Sequence, residues 1–290
     1  MNAVILGYGV VGKGIEILAK TLDDINIKYV YVRKEKENLP YFSNNEDMVV
    51  QDDIDIVFEC LNGLEPANTL IQKALKKGKH VISSNKAVVA TYLDTYLELE
   101  EEYGGSIQVE ACVAGGIPFI DALLKLKRLE PLQGYEGIFN GTSNYILDSM
   151  QKNNLDFEDV LKEAQDKGYA EKDPSNDIDG VDVYYKTKIS NSLAFNTPIV
   201  DIPYYAGIRT IKMLDIKFIK MNNKVIRHLS ISRQIDDKII SIIAPCCMDE
   251  NDFLANVPSN YNAQKILSHS FDTLGYYGQG AGQLPTAQAM

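Results

Sequence analysis

The chain has 290 residues, enough for two domains or for one nucleotide-binding domain with an appended unit. Its content of 45% hydrophobic and 24% charged residues is that of an ordinary globular protein in water. The formal net charge of −11 argues against a nucleic-acid or anionic-membrane partner, either of which needs a basic face. The four cysteines, Cys60, Cys112, Cys246 and Cys247, show no CxxC or Cys/His spacing for zinc and point to a reducing compartment with mostly buried thiols. Cys246-Cys247 reads as core packing, and His80, His228 and His269 are too scattered to be assigned catalytic roles. Met1 leads straight to Val4-Ile5-Leu6 with no leader pattern, and no apolar run approaches the ~20 residues that span a bilayer. The cytoplasm is the expected compartment.

In chain order, Ala3–Leu6, Lys28–Val32, Ile54–Glu59, His80–Ser83 and Ile107–Cys112 are predicted strands. Ile15, Leu18, Ala19 and Leu22 recur at helical spacing between the first two. A second helix starts near Pro66, shows the apolar face Leu70, Ile71, Ala74 and Leu75, and stops at Gly78. A third runs from Thr91 to Tyr103, ended by Gly104-Gly105. Such alternation predicts a parallel, doubly wound sheet. After Pro118 the pattern changes. Helices are predicted over Asp156–Lys167 and from about Asp182 to Phe195, joined by an Asp-rich loop from Glu171 to Gly180. Val225–Ile231 and Lys238–Ala244 read as strands of an antiparallel sheet that packs against something.

Gly7-Tyr8-Gly9-Val10-Val11-Gly12 fits GxGxxG directly after a strand and at the opening of a helix. Gly7 suits the tight turn, Gly9 lets backbone approach a pyrophosphate, and Gly12 permits close helix–strand packing. The phosphates would meet the positive helix end. This is the mark of a Rossmann-type dinucleotide-binding domain. Its second strand ends in Tyr31-Val32-Arg33-Lys34, where an NAD-preferring fold usually carries an acid. The cationic pair Arg33-Lys34 favours the 2′-phosphate of NADP, with NAD as the other choice and a solvated charge run as the plain alternative.

Asp182 and Lys186 are one helical turn apart and share a face, and Glu171, Asp173 and Asp177 are placed to crowd it. Read alone, this is an exposed ion pair beside a solvated acidic loop. Acids around a lysine can also hold an ammonium group and leave the lysine to move a proton.

Three segments decide between these readings: Val109–Pro118, Gly137–Leu147, and Gly168-Tyr169-Ala170-Glu171-Lys172-Asp173-Pro174-Ser175-Asn176-Asp177 continuing to Lys186. Together with Ser84-Asn85-Lys86 and the stretch from Gly278 to Ala287, they closely resemble the homoserine dehydrogenase family over essentially the whole chain. The resemblance implies NAD(P)-dependent interconversion of L-homoserine and L-aspartate 4-semialdehyde in threonine, methionine and isoleucine biosynthesis. It makes Lys186 the general acid/base and Lys86 the second active-site lysine. It makes Glu171, Asp177, Asp182, Thr142 and Gly141 substrate-binding. The nucleotide signature, the cationic strand end and the resemblance together give the cofactor Gly7, Tyr8, Gly9, Val10, Val11, Gly12, Arg33, Lys34, Asn85, Lys86 and Gly280. Glu110, Val113, Gly115 and Ile117 match positions where some members bind a monovalent cation such as sodium. The implied architecture is α/β: a Rossmann-type domain from residues 1–114 and 275–290, and an α+β catalytic and dimerisation domain from residues 115–274. A homodimer joined through the late strands is expected. A regulatory ACT domain or fused aspartate kinase does not fit within this chain, and the family's usual run into a further helix beyond Met290 is missing. That shortening keeps one alternative in view, a non-catalytic dinucleotide-binding sensor.

Overall fold

A computed structural model describes residues 1–32 and 42–290, so the Arg33-Lys34 pair lies outside the described residues. The chain forms two compact units, Met1–Pro118 with Ala281–Met290, and Phe119–Gly280.

In the first unit the apolar runs become parallel strands: β1 (Asn2–Leu6), β2 (Asn26–Tyr31), β3 (Phe42–Ser43), β4 (Ile56–Glu59), β5 (His80–Ser83) and β6 (Ser106–Gln108). Among the described residues their order is β3-β2-β1-β4-β5-β6, with every neighbouring pair parallel. All of β4 and most of β1 are buried, as strands covered on both faces must be, so continuous apolar runs mark them. The helices α1 (Val10–Ala19), α2 (Ala67–Leu75) and α3 (Lys86–Tyr103) supply the crossovers. The order reverses between β1 and β4, which opens a crevice at the carboxyl ends of those strands.

The strand expected over Ile107–Cys112 needs correction. Pairing with β5 stops at Gln108, and Glu110–Cys112 winds into a 3₁₀ turn ahead of Gly115, which has φ +57. Ala111, Cys112 and Val113 are buried in succession, so their apolar character reports a packed turn and not an alternating strand.

The second unit holds α4 (Phe119–Leu126), β7 (Gly134–Ile138), α5 (Gly141–Asn153), α6 (Phe157–Asp166), α7 (Ser175–Ile178), α8 (Val181–Phe195), α9 (Met213–Met221), β8 (Lys224–Ile235), β9 (Lys238–Asp249), β10 (Asn262–Ser268) and β11 (Asp272–Gly278). Its antiparallel sheet has the order β11-β10-β7-β8-β9. β8 and β9 are longer than their apolar runs suggest. Ile235 pairs with Lys238 across Asp236-Asp237, and Asp236 takes the left-handed conformation that a two-residue hairpin demands.

Residues Thr142 to Gln151 of α5 are all buried. The buried face of α8 is polar, and Thr187 bonds Ser230 while Asn191 bonds Ser241 and receives the Tyr135 hydroxyl at 2.7 Å. Each buried hydroxyl or amide in that seam finds a partner, which is what keeps such burial from costing stability. The last helix, α10 (Gln283–Ala289), returns to the first unit, where Ala287 joins the core that holds Ala3, Ile5 and Ile15. Among the described residues no helix is long and apolar enough to cross a membrane.

Candidate active site

At the crevice of the first unit, Gly7 has φ +95, and a Cβ there would lie 2.8 Å from the Cys60 carbonyl oxygen. A Cβ on Gly12 would lie 2.1 Å from the Gly7 carbonyl oxygen, so the start of α1 is packed directly on the turn. Gly9, the residue before α1, faces open space: nothing stands within 4 Å of where its Cβ would be. Backbone is thus bare at a helix N-terminus, which fits the charge and bulk of a pyrophosphate. Tyr8 and Val11 pack against the core beneath, Tyr8 edge-on to Phe42 at 4.8 Å, while Val10 is 65% exposed.

One buried acid in this unit was not anticipated from sequence. The Glu59 carboxylate, wholly buried at the end of β4, accepts the Leu61 N–H at 2.8 Å and the Ser83 hydroxyl at 2.6 Å. Ser83 in turn accepts the Asn85 N–H at 3.1 Å, so Glu59 braces the turn that leads into α3. Its sequence signal was an acid ending the otherwise apolar run Ile56-Val57-Phe58.

In the second unit, Lys186 is buried on α8, where its ammonium donates to Asp182 Oδ2 at 2.7 Å and to the Phe139 carbonyl at 2.6 Å. The exposed ion pair is thereby excluded, because Lys186 and Asp182 are only 7% and 4% accessible. Asn140 Nδ2 donates to the same Asp182 oxygen at 2.9 Å and to Asp177 Oδ1 at 2.7 Å. Two acids and a lysine from α7 and α8 therefore meet at the end of β7. His228 of β8 lies behind them. Its Nε2 donates to the Ala206 carbonyl at 2.9 Å, and its Nδ1 is 3.3 Å from the Ser143 hydroxyl. Burial lowers its pKa to about 4, outweighing the Ala206 bond and the pull of Asp182, so the ring is neutral. A neutral ring bonded at both nitrogens braces the strand behind the cluster.

The family model described as homoserine dehydrogenase matches residues 118–290, and that for the homoserine dehydrogenase NAD binding domain matches residues 7–110. The chain belongs to the homoserine dehydrogenase family. The homoserine dehydrogenase of Neisseria gonorrhoeae is 38% identical over 245 residues, covering 84% of this chain and 56% of that protein. That of Lactococcus lactis is 32% identical over 309 residues, covering 100% of this chain and 72% of that protein. The chain thus spans a little over half to about three-quarters of the length of these relatives. The crystal structure of a homoserine dehydrogenase from Thiobacillus denitrificans superposes with a TM-score of 0.94 at 35% identity, over 100% of this chain and 71% of that one. No comparison supports a non-catalytic sensor.

The remaining residues that the homoserine dehydrogenase pattern singles out are placed less uniformly. Thr142 is buried at the start of α5, its hydroxyl donating to the Tyr169 carbonyl at 2.6 Å, and Gly141 lies against the Asn260 carbonyl. Glu171 is exposed on the loop after α6, where its backbone carbonyl accepts from Gln165. Asp173 turns away to cap Ser175. Asn85 spends its side chain on local order, accepting the Val88 N–H and donating to the Gly63 carbonyl at 2.8 Å. Lys86, half-buried, is the first residue of α3. Gly280 lies against the Asn262 side chain in the second unit. Glu110, Val113, Gly115 and Ile117 share one tight segment, in which the Val113 and Ile117 amides donate to the Glu110 and Ala114 carbonyls. Among the described residues no cluster of three His, Cys, Asp or Glu side chains suits a metal, so a cation here would depend on backbone oxygens.

Proposed function

We propose that this chain interconverts L-homoserine and L-aspartate 4-semialdehyde, the family's step toward threonine, methionine and isoleucine. The observation that carries the reading is the buried Lys186–Asp182 pair with Asp177 bridged to it, in the segment matched by the homoserine dehydrogenase model. Gly7, Gly9, Gly12 and the first amides of α1 would hold the dinucleotide pyrophosphate, with Tyr8, Val10 and Val11 forming the turn around it. When bound, the nicotinamide supplies or accepts the hydride.

Lys186 is the proton-transfer group in this reading. Its ion pair with Asp182 favours the ammonium, the form that gives a proton to the aldehyde oxygen as the carbonyl is reduced. In the reverse direction the amine takes the hydroxyl proton of L-homoserine. Asp177, Asp182 and Glu171 form the acidic lining for the substrate's α-ammonium, and Gly141 and Thr142 present backbone and hydroxyl at the start of α5. Lys86, Asn85 and Gly280 belong to the nicotinamide end of the reading, and Arg33-Lys34 favours NADP over NAD.

Three further elements complete the proposal: a sodium-like cation on Glu110, Val113, Gly115 and Ile117, a cytoplasmic location, and a homodimer through the late strands. The support for the dimer is Ile240 and Ile242 of β9, which leave 55% and 38% of their surface exposed on one face of the sheet.

The test is a reduced-nicotinamide absorbance assay with L-homoserine, run with NADP and with NAD, in sodium and in a larger monovalent cation. Turnover with L-homoserine is expected, and Lys186→Ala should lower kcat by about 10²–10⁴ while cofactor binding persists. Full activity in Lys186→Ala removes that residue from the mechanism. Cofactor binding by the parent with no homoserine-dependent signal restores the sensor.

A further inference from the structure

The two acids beside Lys186 do not come together by themselves. Asp177 lies on α7 and Asp182 on α8, and like charges drawn close in a buried site repel strongly. The amide nitrogen of Asn140 links them, 2.7 Å from one carboxylate and 2.9 Å from the other. The carboxylate oxygens can be no farther apart than the sum of those distances. Asn140 itself is only 4% accessible, and its orientation is fixed from the other end. Its Oδ1 accepts the Ser143 N–H at 2.8 Å and so caps α5. Turning the amide over would set NH₂ against N–H and oxygen against two carboxylates, losing every one of these bonds.

The chemistry of the bridge matters as much as its geometry. A lysine or arginine in its place would hold the acids together by cancelling their charge. An amide holds them with two N–H donors and cancels nothing. Within the group of Asp177, Asp182 and Lys186 the acids outnumber the lysine, and a cationic ligand is what such a group attracts. Asn140 therefore gathers negative potential without consuming it, and it does so while tied to the same helix start that carries Gly141 and Thr142.

We infer that Asn140 is a positioning residue for the substrate's α-ammonium group, holding Asp177 and Asp182 as a charged pair around that cation. This rests on the reading of the site as a homoserine-binding site. Among the described residues, the titratable groups joined into this cluster include Asp177 from α7, Asp182 and Lys186 from α8, and neutral His228 from β8 behind Ser143.

Two variants test it. Asn140→Ser keeps an N-cap and removes the bridge. It should raise KM for L-homoserine by about 10- to 100-fold, the value of one or two hydrogen bonds to charged groups, with KM for the dinucleotide little changed. Asn140→Asp keeps both shape and cap but turns the donor into a third acid. One of the three carboxyls should then keep a proton to higher pH, moving the acid limb of kcat/KM upward by about one unit, a change that loss of packing alone does not produce. Unchanged homoserine KM in Asn140→Ser together with an unmoved acid limb in Asn140→Asp overturns the inference. The parent enzyme run alongside separates the two readings, since a parent that does not turn over L-homoserine fails the proposed function, whatever the variants do.

Discussion

The two units of this chain prepare for ligands by opposite means. The turn from Gly7 to Gly12 is bare backbone, and at Gly9 it meets open space. The cluster of Asn140, Asp182 and Lys186 is made of side chains almost wholly withdrawn from water, each acting as the solvent of the others. A backbone cradle tolerates much around it but no added carbon where the chain touches itself. A mutually solvating cluster accepts changes of shape but not the loss of a member.

The largest effect that could break this contrast lies at Asp182. Asp182→Ala leaves the Lys186 ammonium buried on the Phe139 carbonyl, and should lower unfolding free energy by about 3–5 kcal/mol in urea titrations. The double variant Asp182→Ala/Lys186→Ala should regain part of that loss, because the buried ammonium is then removed together with its 2.7 Å counter-charge. A single variant as stable as its parent would mean the cluster members do not depend on one another.

Next in size is the pH response of His228. An unfolded histidine titrates near ~6.5, whereas burial holds this one down to about 4. Between those values the unfolded chain binds the extra proton, so its contribution is complete above about pH 6.5 and lost as pH falls toward 4, in all about 3 kcal/mol. Stability measured against pH should slope less steeply over that window in His228→Gln, and equal slopes would show that the ring does not titrate as its burial requires.

The smallest pair sharpens the contrast at the cradle. Gly12→Ala drives a Cβ into the Gly7 carbonyl and should cost about 1–3 kcal/mol of stability along with dinucleotide affinity. Gly9→Ala meets nothing, so stability should hold within about 0.5 kcal/mol while calorimetry shows weaker dinucleotide binding. Equal affinity in Gly9→Ala and the parent would place the pyrophosphate elsewhere.

What the sequence made legible follows the range of the forces involved. The first unit was readable because its strands are covered on both faces, so burial shows as local apolar runs, and because GxGxxG needs glycine for reasons that are local too. The same logic misread Ile107–Cys112, where apolar residues were buried by a turn. β7 and β10 escaped notice because Gly134, Gly137, Asn262 and Gln264 lack strand character on their own, and they are held by pairing with residues more than a hundred positions away. Asp182 and Lys186 were visible as a helical pair, but the polar buried face of α8 carries no stripe to say which side faces inward. Asn140 was visible only as part of a turn, since its partners lie 37 and 42 residues further on. Glu171 was expected beside Lys186 from its place in the loop and from the family resemblance, and Asp173 from its place in the loop alone. One is exposed and the other caps its own turn, whereas Asp177 arrives through the Asn140 bridge.

The position of α10 has a consequence for how the protein is made. Ala287 completes a core begun by Ala3 and Ile5, so the first unit is assembled from two segments far apart in sequence. During vectorial synthesis the whole of residues 119–280 leaves the ribosome before that core can close. Throughout that interval α1 and its strands wait with an apolar groove uncovered, and nascent chains stalled before residue 281 should be the ones that chaperones hold longest.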